Sequence, residues 1–101
     1  MPAYVVVQAV ITDWNGFSAY SKRVPEIVTQ YGGEYLVLGG QSESLEGDWG
    51  EVKIVLHRWA DMDAARKFWE SPEYEEAKKM REGTGDFRVM LVDGLDRQVL
   101  E

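Results

Sequence analysis

Two adjacent residues carry most of the chemistry this sequence offers. His57 and Arg58 lie in the run EVKIVLHRWA, residues 51–60. His57 is the only histidine in the chain, and imidazole is the side chain whose ordinary pKa suits proton transfer near neutrality. No sequence neighbour forms a group that would orient it, so the competing expectation is a packed or edge histidine with no catalytic task. Arg58 offers a planar guanidinium, which suits a ligand carboxylate or enolate, or a developing oxyanion. Its competing expectation is an ion pair with an interior or cross-dimer Glu such as Glu43, because buried charges are normally paired. These two are the candidate catalytic residues. The candidate ligand-binding residues are Tyr4, Gln8, Trp49, Arg58 and Arg88. Trp49 either packs against the sheet or a neighbouring subunit, or stacks on a ligand. Tyr4 and Gln8 either contact a ligand or hydrogen-bond across a dimer. The pattern around Arg88 fixes no direction for its side chain.

Composition removes other chemistries. There is no cysteine, hence no disulfide, thiol nucleophile or thiolate metal site. With one His as well, no structural zinc site is expected, and no cofactor or metal is assigned. The formal net charge is -7, from 18 acidic and 11 basic residues. The basic residues are scattered among acids, as in Lys78-Lys79 beside Glu75-Glu76, so nucleic acid and anionic membranes are not expected partners. The segment KIVLHRW also lacks the aromatic strand signature of RNA-binding sheets. Gly83-Thr84-Gly85 lacks the glycine spacing and the Lys-Ser/Thr of a phosphate loop. MPAYVVVQAVITDW has no basic leader and too short an apolar run to span a bilayer, so a soluble cytoplasmic protein is expected.

The elements that must position these residues follow from periodicity. Tyr4 to Ile11 is an apolar run that reads as a buried strand. Thr12-Asp13 offers a helix cap. Phe17, Tyr20, Val24, Ile27, Val28 and Tyr31 recur at helical spacing, with Pro25 expected to kink or restart the helix near Val24 and Gly32-Gly33 to stop it. Strand two is Glu34 to Leu38. Gly39-Gly40 is expected to bulge or bend it, 41–46 to continue as a twisted extension, and Gly47-Asp48 to turn the chain into a third strand, Glu51 to Trp59. Asp61 caps a helix carrying Met62, Ala65, Phe68 and Trp69. Ser71-Pro72 starts another, with Tyr74, Ala77 and Met80 inward. The cluster Glu73, Glu75, Glu76, Lys78, Lys79 reads as a solvated face with i,i+4 pairs. Phe87 to Val92 is the last strand, and 95–101 a tail, either a short strand or frayed.

The order β-α-β-β-α-β predicts an α+β, ferredoxin-like sandwich: a four-stranded antiparallel sheet with helices on one face. The chain is expected to form a single domain over 1–95 with a tail at 96–101. Its strands are apolar on both faces. Val5, Val7, Ala9 and Ile11 alternate with Tyr4, Val6, Gln8 and Val10; Lys53, Val55, His57 and Trp59 alternate with Val52, Ile54, Leu56 and Arg58. An uncovered apolar face predicts a partner, most simply a second copy related by a two-fold axis. Placing Trp59 on the helix side puts Arg58 on the open face, with His57 opposite it.

The segments AYVVVQAVITD, VPEIVTQYGG, YLVLGG followed by LEGDW, DMDAARKFWESPEYEEAKKMR and FRVMLVDG together resemble the bacterial domain-of-unknown-function family 1330, over roughly residues 3–95. That resemblance implies the dimeric α/β-barrel superfamily and a homodimer, but no reaction. Relatives in the wider superfamily include cofactor-independent monooxygenases, polyketide cyclases, haem-degrading enzymes and plain ligand binders. The family usually carries an acid followed by Phe-Pro where this chain has Arg58, Trp59 and Ala60, and often an acid where it has Gln8. If both positions line the cavity, the departure favours an anionic or carbonyl-bearing ligand. The expectation is therefore a homodimeric small-molecule-binding protein with a cavity on the open sheet face. One alternative is a cofactor-independent oxygenase, cyclase or isomerase in the same cavity, acting on a carbonyl or aromatic compound. The other is a structural dimer with no cavity.

Overall fold

The computed structural model describes residues 1–95. The first apolar run is a strand, β1 (Ala3–Ile11), and it ends where Asp13 takes the cap of α1 (Trp14–Gln30), its carboxylate accepting from Gly16 N at 3.0 Å. The chain then forms β2 (Glu34–Leu38), β3 (Lys53–Trp59), α2 (Met62–Trp69), α3 (Pro72–Lys79) and β4 (Gly85–Asp93). The strands lie in the order β2-β3-β1-β4, with every neighbouring pair antiparallel. This is the expected ferredoxin-like topology. The tail at 96–101 lies outside the described residues.

The helices bury one face of the sheet. Val5, Ala9, His57 and Trp59 point into it and are buried. They meet Val24, Ile27 and Val28 of α1, Ala65 and Phe68 of α2, and Tyr74 and Ala77 of α3. Full burial of each of the larger aliphatic and aromatic side chains contributes about 1.5–3 kcal/mol, which explains why α1 is not restarted by Pro25. The helix runs through that residue in one piece, because its stripe on either side is already anchored in the core. Gly32 turns the chain at the helix end with φ +90°, a conformation glycine adopts without steric cost. Gly33 is needed for space: a Cβ there would lie 2.6 Å from the Trp59 ring.

Two caps break the second helical stretch as its sequence predicts. Asp61 accepts from Ala64 N at 2.8 Å. Ser71, buried, accepts from Tyr74 N at 3.1 Å and donates to Phe68 O at 2.7 Å, joining α2 to α3 through one hydroxyl. Met80 caps α3 but stays exposed rather than facing inward. Glu73 is not simply part of a solvated face. It accepts from Tyr31 Oη at 2.8 Å and Gln30 Nε2 at 3.0 Å, tying α3 to α1. Those hydrogen bonds, Tyr31's first, hold its carboxyl below the usual range. The ion pairs among the described residues are spaced i,i+3, such as Lys78–Glu75 at 3.5 Å, not i,i+4.

The stretch between β2 and β3 differs from expectation. The bulge lies earlier, between Tyr35 and Val37, and the last rung is Gly39 N to Ile54 O at 2.9 Å. Residues 40–52 then form no strand. The polar alternation of 41–46 has no neighbouring strand to bond among the described residues, and it folds back on itself. Ser44 Oγ donates to Gly47 O, Trp49 Nε1 donates to Glu46 O, and Gly50 N donates to Asp48 Oδ1. Leu45, at its tip, is 91% exposed. Among the described residues no helix is long and apolar enough to cross a membrane.

Candidate functional site

The strand register builds a cavity floor in rows. Val5 stands between His57 of β3 and Leu91 of β4; Val7 between Val55 and Val89; Ala9 between Lys53 and Phe87. These rows are mostly small or β-branched. The helices above carry large rings: Phe17 and Tyr20 on α1, Phe68 and Trp69 on α2, Tyr74 on α3. Small floor and stiff roof do not close completely. They enclose a cavity of about 260 Å³ on the helix side of the sheet. From His57 to Lys53 it runs four residues along β3, about 13 Å at the usual strand rise. The His57 end is buried. The Lys53 end opens to solvent beside Trp14, which is 57% exposed.

His57 closes the inner end and is 4% exposed. Trp59 Nε1 donates to its Nδ1 at 2.7 Å. Indole only donates, so Nδ1 is the unprotonated nitrogen and the neutral ring carries its proton on Nε2. Nε2 has no hydrogen-bond partner among the described residues, yet no buried side-chain nitrogen or oxygen there lacks one. Nε2–H is therefore open to the cavity. Burial pushes the pKa of His57 down to about 4, so at neutral pH this group is a fixed donor and not a base. Tyr35, Trp59 and Phe68 pack around the ring at centroid distances of 5.4–5.6 Å.

Three phenols face the same space. Tyr20 and Tyr74 join hydroxyls at 2.9 Å. Burial raises the pKa of Tyr74, as it does that of Tyr35. It also raises Tyr20, against the hydrogen bond from Tyr74 and the charge of Arg81. All three stay neutral at physiological pH. The Arg81 guanidinium lies 4.4 Å from the centroid of Phe87 and 5.4 Å from that of Tyr20.

The sequence-selected residues divide between the two faces. Tyr4, Gln8, Arg58 and Arg88 share the open face, in two rows four residues apart along β1. Tyr4 and Arg58 share a row with Glu34, and Gln8 pairs with Arg88. Arg88 thus acquires a direction the pattern did not give. Arg58 is exposed and makes no ion pair among the described residues, with Glu43 or otherwise. Trp49, 53% exposed, borders a separate hollow of about 480 Å³ with Glu43 and Ile54. The helix-side cavity contains none of these five. It contains His57, placed on that side as alternation required, and residues that sequence reasoning passed over: Tyr20, Tyr35, Lys53, Tyr74 and Arg81. For Tyr20 and Tyr74 a signal was available, since tyrosines at core positions of a helix carry a polar tip that must find a partner or water.

The family model described as Domain of unknown function (DUF1330) matches residues 2–95. The chain belongs to the DUF1330 family. No curated protein matches this DUF1330 chain in sequence. Its fold is similar to that of a protein of unknown function from Rhodopseudomonas palustris, with TM-score 0.76 and 18% identity over 94% of this chain and 83% of that one. It is similar to SnoaB, a cofactor-independent oxygenase from Streptomyces nogalater, with TM-score 0.70 and 13% identity over 94% of each chain. A de novo designed protein also matches, with TM-score 0.63 and 18% identity over 94% of this chain and all of its own. The designed match shows why architecture alone assigns no activity to a DUF1330 chain.

Proposed function

We propose that this chain binds a small, largely apolar molecule in the cavity between sheet and helices. The observation that carries the proposal is the His57 Nε2–H, fixed by Trp59 and open to an aromatic-lined space without a partner. An oxygen acceptor on a ligand would satisfy it. Native mass spectrometry of gently purified protein, alone and with naphthalene derivatives, tests this. The expected result is a reproducible adduct on the wild type that is absent from a folded Val7→Trp variant, whose indole fills the middle of the floor. Adduct-free spectra of the wild type in both conditions would refute it.

The open face supports a second part of the proposal, a homodimer packed sheet to sheet. Val10, Val37, Met90 and Val92 are exposed there, alongside Val6 and Leu56. The row Glu34, Arg58, Tyr4 is self-complementary in charge, so a two-fold axis can oppose Arg58 of one protomer to the partner's Glu34. In this arrangement Tyr4, Gln8, Arg58 and Arg88 serve the interface. Light scattering should report a dimer mass for the wild type and a monomer mass for Val6→Glu; a dimeric Val6→Glu would sink this part.

A catalytic use of the cavity is favoured by one feature: Nε2–H is placed to stabilise a developing oxyanion, and SnoaB is a cofactor-independent oxygenase. Against it, no described cavity group is poised to take a proton near pH 7. Binding is the function the geometry supports best.

A further inference from the structure

The chain carries a formal charge of -7, yet among the described residues the cavity is lined by two cations, Lys53 and Arg81, and by no Asp or Glu. Neither cation makes an ion pair among the described residues. Their placement is not random along the cavity. Ala9 pairs with Lys53 on one side and Phe87 on the other, and the Arg81 guanidinium stands 4.4 Å over Phe87. Both charges therefore sit at the open end, on opposite sides of one row. The apolar row of Val55, Val7 and Val89 lies inward of them, and His57 lies one row deeper.

We infer that the cavity selects an amphipathic anion: a flat apolar body carrying a carboxylate, phenolate or enolate that rests between Arg81 and Lys53 at the mouth. This rests on the cavity being a ligand site and adds the class of ligand it takes. Three features carry it. A single-sign lining in a low-dielectric cleft concentrates counter-ions of the opposite sign, here anions. A guanidinium already lying on aromatic faces is oriented before the ligand arrives, and its remaining donors match a carboxylate. The polar groups at both ends donate: ammonium and guanidinium at the mouth, Nε2–H at the base. The body between them needs to reach about 13 Å at most, the span of four strand residues, which suits two or three fused rings.

The test uses three probes of one shape and different charge: 1-naphthoate, 1-naphthylmethanol and 1-naphthylmethylammonium, titrated calorimetrically into the full chain. Naphthoate should bind about tenfold or more tighter than the alcohol, as one charge-assisted hydrogen bond predicts, and the ammonium most weakly. Arg81→Gln and Lys53→Gln should each weaken naphthoate several-fold while leaving the alcohol unchanged. Lys53 is exposed, so its variant keeps the comparison available if Arg81→Gln fails to fold. The alcohol or the ammonium binding as tightly as naphthoate would overturn the anion preference and leave the cavity reading standing. Failure of all three to bind would overturn both.

Discussion

The Trp59–His57 hydrogen bond leads to a pH dependence that can be worked through. In the unfolded chain His57 takes up a proton with its ordinary pKa of 6.5; in the folded chain burial lowers this to about 4. Between those values the unfolded state binds more protons, so stability must fall as the pH falls. From pH 7 to pH 5 the linkage relation gives a loss of about 2 kcal/mol from this one ring, and about 3 kcal/mol by pH 4. The upper half of the window lies above the range in which most carboxylates titrate. The control is His57→Gln, whose amide oxygen can still accept from Trp59 Nε1 but does not titrate. Urea denaturation of both proteins at pH 7, 6 and 5 is the assay. With a slope of about 1–2 kcal/mol per molar for a domain of this size, the wild-type midpoint should drop by about 1–2 M more than that of the variant. Contributions common to both, including that of Glu73, cancel in the difference. Parallel midpoints from pH 7 to pH 5 would refute the buried neutral ring. So would a long-range nitrogen–proton correlation spectrum showing the proton on Nδ1.

Two further outcomes follow from packing. Gly33→Ala drives a methyl group into the Trp59 ring, and overpacking of this kind costs about 1–3 kcal/mol; a change of under 0.5 kcal/mol, roughly the neutral range for a surface site, would mean the contact is slack. Ser71→Ala removes the hydroxyl that both caps α3 and bonds the end of α2, and should cost about 1–2 kcal/mol by thermal or urea melting, with Ser71→Thr recovering part of the loss.

The fold was legible because its signals are local. The alternation in β3 placed His57 and Trp59 inward, and Asp13, Asp61 and Ser71 announced three helix starts. What misled were features whose meaning depends on neighbours in space. The alternation of 41–46 resembles a strand, but strandness needs a partner to bond, and none is adjacent among the described residues. Pro25 reads as a break, but burial of Val24, Ile27 and Val28 outweighs one lost donor. The site was harder. Alternation gives the side on which Val5, Val7 and Ala9 lie, but not the height of the layer above them. Phe17, Tyr20 and Tyr74 read as the core that would fill that height, whereas Tyr4, Gln8 and Arg58 could be assigned to the open face by alternation.

Space under the helices also bears on how long a molecule survives. A chain of 101 residues has a total stability of about 5–15 kcal/mol, and no described side chain occupies the cavity. A ligand present at a hundred times its Kd adds about 2.7 kcal/mol to the folded state, which cuts the unfolded population about a hundredfold. Proteases in a cell act on the opened chain. Filled molecules would then persist and empty ones be cleared, so the cellular amount of this protein would follow the supply of its ligand without any change in transcription.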